Sequence, residues 1–118
     1  MSYDIELQDP ITKKPLKLDV PHQMKGGSYA IYGTTNAELN ITYNYVHHFR
    51  RVLGDAGIRE IYGMTGADSI PLLEKGIAKL GDDVDDDYWK ATEGNAKRAL
   101  VQLVALAKMR PDGVWAGD

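Results

Sequence analysis

With 118 residues, 43% of them hydrophobic and 26% charged, the chain has the make-up of one folded domain around a single core and not of an extended disordered segment. Its formal net charge of -3 supplies no global basic field for duplex nucleic acid or an anionic membrane. The absence of cysteine removes disulfides, thiolate nucleophiles and Cys-ligated metal centres.

The opening MSYDIELQDP has no basic region followed by an apolar run, so no signal peptide is read and the expected compartment is the cytoplasm. Residues 3–20 read as a β-hairpin. Tyr3, Ile5 and Leu7 alternate with polar residues on one arm, and Leu16, Leu18 and Val20 do so on the other. Asp9-Pro10 opens the connection and Pro15 closes it, since neither proline can sit in a central ladder. An acidic first arm would face Lys13, Lys14 and Lys17 on the second. Residues 21–35 read as a loop, with Tyr29-Ala30-Ile31-Tyr32 as a short third strand inside it.

Thr35-Asn36-Ala37-Glu38 fits a capping box and predicts a helix. On its wheel Leu39, Ile41, Tyr45, Val46, Phe49, Val52 and Leu53 share one arc, and Gly54 ends it in the left-handed conformation. Residues 58–64 fit a short strand or a helical turn, with the turn preferred. A further helix is predicted over residues 68–80, capped by Asp68 or Ser69, with Pro71 in the first turn and Gly81 as the stop. Residues 82–87, DDVDDD, form an acidic connector, and Tyr88-Trp89 a helical turn. The last helix, residues 92–111, is the centre of the fold. Thr92 caps it, Glu93 suits its dipole, and between Ala99 and Ala107 only Gln102 is polar, the pattern of a helix buried on several sides. That apolar run is too short to cross a membrane. The tail PDGVWAGD is expected to fold Trp115 back onto the surface. The fold class predicted is α+β: an N-terminal hairpin or small antiparallel sheet packed on three main helices, with the C-terminal helix buried at the centre.

Asp83, Asp85 and Asp87 occupy the first ligand positions of a calcium loop, but Tyr88 stands where glycine is needed and Gly94 where the closing glutamate is needed. A solvated connector that also caps a helix is the preferred reading. Gly26-Gly27-Ser28 and Gly33-Thr34-Thr35 match no phosphate-loop pattern and read as turns, although the second leads into the predicted helix start, which is receptive to anions. His47 and His48 point about 100° apart on a helix and share a metal poorly. No nucleophile elbow is present.

The most informative constellation lies opposite the apolar arc. Asn40, Asn44, His47 and Arg51 are spaced 4, 3 and 4, with Tyr43 at the border and Trp89 available to stack. This donor-rich face suits a phosphate, carboxylate or nucleobase. A solvated helix face is the plainer reading, but such a face has no need of two asparagines in one turn.

NITYNY (40–45), YWKATEGNA (88–96) and PDGVW (111–115) resemble a family of small uncharacterised proteins encoded in bacterial and phage or prophage genomes. That family has no established activity and so lends no catalytic residues. The resemblance implies a small cytoplasmic protein of mobile-element origin.

The leading functional expectation is a non-enzymatic binding protein for a small anionic, nucleotide-like ligand or a host protein. It would carry no cofactor or metal, and homo-oligomers are allowed. The alternatives are a metal-assisted hydrolase, using the 82–87 carboxylates with His47 or His48, and a structural or oligomeric phage accessory protein.

Overall fold

Tyr3, Ile5 and Leu7 put one side of β1 (Ser2–Gln8) into the core. In the computed structural model, which describes residues 1–24 and 32–118, β1 is the middle strand of a three-stranded sheet. β4 (Glu38–Thr42) and β5 (Val114–Gly117) flank it, both antiparallel. The register sets Tyr3 opposite Ile41, Ile5 opposite Leu39 and Leu7 opposite Trp115, so one face of the sheet is apolar throughout. β2 (Lys17–His22) and β3 (Thr34–Asn36) form a separate two-stranded sheet. With three α-helices among the described residues the chain is a mixed α+β domain, as expected.

The hairpin differs from expectation. Its turn forms, with Lys13 N–H on Asp9 O at 2.9 Å and Asp9 N–H on Lys14 O at 2.8 Å. Beyond a single bridge between Gln8 and Pro15, however, the arms part. Pro15 has no donor to continue the ladder. Leu7 instead donates to Ala37 O at 2.9 Å, Ala37 to Leu16 O at 3.1 Å, and Leu16 to Leu7 O at 2.9 Å. Three segments thus meet at one knot, and β2 leaves it to pair with β3. Lys17 bonds the Asn36 side chain and not the acidic arm. The covered face survives this change of partner: Tyr3, Ile5, Leu7, Leu16 and Leu18 are all buried, and only Val20, 62% exposed, departs from its arm.

The capping box does not start a helix. Residues 34–36 and 38–42 are strands, and the chain turns helical only after Thr42, whose Oγ1 accepts from Asn44 N–H at 3.2 Å. A short 3-10 helix (Tyr43–Tyr45) then leads into α1 (Val46–Leu53). Leu39 and Ile41 satisfy a period of two as well as 3.6, and pairing with β1 decides between them. Tyr45, Phe49, Val52 and Leu53 keep their predicted inward face. Gly54 has φ 136°, ψ 178°, a conformation open essentially to glycine alone but not the left-handed helical one. The predicted strand at residues 29–32 lies, apart from Tyr32, outside the described residues.

A second 3-10 helix (Gly57–Ile61) buries Ile58 and Ile61, so the helical reading of this stretch holds. α2 (Gly66–Ala78) begins earlier than expected, because Thr65 Oγ1 rather than Asp68 or Ser69 makes the cap, accepting from Asp68 N–H at 3.0 Å. Pro71 therefore falls in the second turn. The carbonyl it leaves without a donor belongs to exposed Ala67. α3 (Glu93–Met109) is capped by Thr92 as read, with Oγ1 accepting from Asn95 N–H at 3.1 Å. It buries Ala96, Ala99, Leu100, Leu103, Val104, Leu106 and Ala107, packing along α2 and against α1 and β4. A Cβ on Gly66 would lie 2.9 Å from Arg110 O, which shows how closely α2 approaches the end of α3.

Trp115 is the largest correction in the tail. It is 1% exposed, held by β5 against β1, and its Nε1 donates to Ser69 Oγ at 2.7 Å. Among the described residues no helix is long and apolar enough to cross a membrane.

Leu103 is fully buried on α3. Its replacement by alanine should cost about 2–5 kcal/mol through lost burial and the cavity left behind. Urea denaturation checks this, and a loss under about 1 kcal/mol would place the helix outside the core.

Candidate functional site

Residues 82–92 run without regular structure from α2 to the cap of α3 as a strap. The first turn of α3 holds one side of it. Gly94 N–H donates to Asp83 Oδ1 at 3.1 Å, and Gly81 N–H to Glu93 Oε1 at 3.2 Å. Gly94 has to be small, since a Cβ there would sit 2.6 Å from Val84 N. Buried Asn95 accepts from Asp85 N–H at 3.0 Å and donates to Asp87 O at 3.1 Å and Lys90 O at 3.0 Å. Ion pairs join Lys97 to Asp82 at 2.6 Å and Lys90 to Asp85 at 3.3 Å.

The 3-10 helix and α1 hold the other side. Tyr45 OH donates to Tyr88 O, Asn44 Nδ2 to Trp89 O at 2.8 Å, and His48 Nε2 to Ala91 O at 2.8 Å. Each carbonyl from Asp87 to Ala91 thereby accepts from a side chain, the role that a helix or sheet ladder plays elsewhere. Burial pushes the Tyr45 phenol well above its ordinary pKa. His48 Nδ1 is buried with no hydrogen-bond partner among the described residues.

This arrangement accounts for most of the donor-rich face. Asn44 and Trp89 do come together, through the backbone of the strap. Asn40 is on a strand, so the 4, 3, 4 spacing does not gather the set on one helix face. Its Nδ2 donates to Ser2 Oγ and Asp4 Oδ1, both at 2.7 Å. Tyr43 packs edge-on to Tyr3 at 4.4 Å, and its hydroxyl takes Arg59 Nη2 at 3.2 Å. Arg51 pairs with Glu93 at 3.1 Å. His47 is exposed, and its ring lies 4.1 Å from that of His48, closer than the helical angle suggested. Gly33-Thr34-Thr35 leads into β3, so the anion-receptive helix start expected there does not exist. Among the described residues no group of three or more His, Asp or Glu side chains is arranged to hold a metal.

A different concavity lies on the outer face of the three-stranded sheet. Asp4 and Glu6 alternate with the buried residues of β1, and the register sets Asp4 opposite Asn40 and Glu6 opposite Glu38. The two-stranded sheet forms the other wall through His22, Thr34 and Asn36, with Met24 beside them. The open groove between them measures about 460 Å³. Each carboxylate leans on a neutral amide: Asn40 donates to Asp4 at 2.7 Å, Gln8 to Glu6 at 3.3 Å, and Asn36 to Glu38 at 3.3 Å. None of the three belongs to an ion pair among the described residues. His22 Nδ1 accepts from Met24 N–H at 3.2 Å, so its Nε2, 2.9 Å from Asn36 O, carries the ring proton. The histidine is thus a wall of the groove with both nitrogens engaged. Sequence reading passes over this site because Asp4 and Glu6 read as an acidic arm facing lysines and Glu38 as part of a capping box, and the second wall depends on the unforeseen pairing of β2 with β3.

No protein-family model, no curated protein and no solved structure matches this chain.

Asn95→Ala would leave Asp85 N–H without its partner and remove one of the two hydrogen bonds accepted by each of Asp87 O and Lys90 O, which keep Lys90 N–H and Thr92 N–H. It should destabilise the chain by about 1–3 kcal/mol and raise amide exchange across the strap; unchanged exchange at Asp85 would show that the strap is held by other means. Asp85 itself has a pKa below the ordinary value of 3.8, through the Asp87 N–H bond and then Lys90. A depressed carboxylate stabilises the fold above its unfolded pKa and loses that contribution as pH falls through the folded value. Asp85→Asn should therefore flatten the acid side of a stability-against-pH curve below about pH 4, measured by thermal unfolding.

Proposed function

We propose that this protein is a non-enzymatic binding protein acting in the cytoplasm, that its recognition site is the groove between the two sheets, and that the group it receives is cationic, an ammonium or guanidinium. The observation that carries this reading is the set of three carboxylates, Asp4, Glu6 and Glu38, facing one cavity without a paired cation among the described residues. Glu6 and Glu38 stand directly opposite across the strand pair, where like charges destabilise a sheet. A bound cation relieves that repulsion, and the supporting amides leave carboxylate oxygens free to accept from it. The anionic, nucleotide-like ligand expected from the sequence finds less support, since Asn40, Asn44 and Arg51 spend donors on Asp4, Trp89 O and Glu93. The motif resemblance favours a phage or prophage accessory setting, in which the cation belongs to a small amine or to a basic side chain of a host protein.

Titration calorimetry of the whole chain with 1,4-diaminobutane, arginine methyl ester and a nucleoside monophosphate tests the reading. Heat with the two cations and none with the nucleotide is expected, weakening with added salt. Glu38→Gln should reduce the cation affinity by about 1.5–3 kcal/mol, the size of a charge-assisted contact. It should also raise unfolding stability by about 0.2–1 kcal/mol as the repulsion with Glu6 goes. Binding of the nucleotide alone, or no heat from any probe, would end the proposal.

A further inference from the structure

The strap presents a large apolar side chain to solvent on a backbone that is unusually well fixed. Trp89 is 51% exposed and Val84 49% exposed. Beneath Trp89 the chain is pinned on both sides, with its N–H on Asp87 Oδ1 at 3.1 Å and its carbonyl on Asn44 Nδ2 at 2.8 Å. The Tyr88 ring meets the indole edge-on at 5.1 Å, and the hydroxyl of that tyrosine accepts Thr42 N–H at 2.8 Å. An ordered loop with an exposed tryptophan has the properties of a binding anchor: large contact area, few rotatable bonds, and an ordering cost already met by the fold.

The charge around it selects the occupant. Residues 82–87 contain five aspartates. Lys97 and Lys90 pair with Asp82 and Asp85, so the strap keeps an acidic excess. A second copy of this chain would bring the same acidic strap and a net charge of -3, and would be repelled. An anionic membrane is disfavoured for the same reason. A basic protein segment fits both features, with an aliphatic or aromatic side chain against Trp89, and an arginine or lysine over the indole face and beside the carboxylates.

We propose that the strap is a second interaction surface, separate from the groove, and that it docks a basic segment of a protein partner with Trp89 as its anchor. Selection from a random peptide display library against the whole chain, with counter-selection on Trp89→Ala, tests this. The most enriched peptide is then synthesised and titrated by calorimetry. The enriched peptides are expected to carry net positive charge. Trp89→Ala should weaken binding about tenfold or more and Asp86→Asn about threefold, while Glu6→Gln, in the groove, leaves it unchanged. Trp115 is the sole tryptophan left in Trp89→Ala, and its buried, blue-shifted emission, which moves to the red on denaturation, certifies that the variant is folded. The proposal is overturned if no peptide survives counter-selection, if the survivors are neutral or acidic, or if Trp89→Ala binds the synthesised peptide as well as the wild type does.

Discussion

Because β4 and β5 occupy both edges of β1, a second strand paired along its length has no place. β2 touches β1 at the Leu7, Leu16 and Ala37 knot and is then forced away, and its remaining polar backbone is met by β3. Two sheets result where the local pattern suggests one hairpin. The gap between them is the groove, and the outward residues of β1, which a two-layer sheet–helix domain would leave bare to water, become one of its walls. Chemistry and architecture are linked at this point: the carboxylates share a cavity because β2 diverges.

The strap raises the complementary problem. A segment with neither helix nor sheet must still satisfy its carbonyls, and here the donors come from Asn44, Tyr45, His48 and Asn95. Two of the sequence stretches that stood out as motifs, residues 40–45 and 88–96, prove to be the two sides of this interface. Their distinctive composition is explained by hydrogen bonding within the chain. Glycine at 94 and threonine at 92 complete it, the first by giving room and the second by capping α3.

The same strap protects the sheet. On the outer edge of β4 the Tyr88 hydroxyl accepts from Thr42 N–H at 2.8 Å and reaches Asn40 O at 3.5 Å. On the outer edge of β5 Gly63 N–H donates to Trp115 O and Trp115 N–H to Met64 O, both at 2.9 Å. Both edges of the larger sheet are thus covered against strand addition. The two proposed surfaces, groove and strap, would therefore act through side chains and not through exposed backbone.

The sequence by itself determined what depends on short-range pattern. It set the buried face of α3 with its Thr92 cap, the inward alternation of Tyr3, Ile5, Leu7, Leu16 and Leu18, the helical arc from Tyr45 to Leu53, and the mixed α+β class. These follow from periodicity and capping, which neighbouring residues control. Tertiary structure decided the rest. Leu39 and Ile41 fit either period until β1 pairs with them. Trp115 carries no pattern in a short tail and enters the core only because β1 has an edge to offer. Whether Asn44 and Arg51 are free or engaged depends on the strap and the first turn of α3, some 40 residues away. The groove depends on which strand β2 chooses, a competition between segments distant in sequence. Local propensity leaves that choice open; backbone hydrogen bonding and burial across the whole domain settle it.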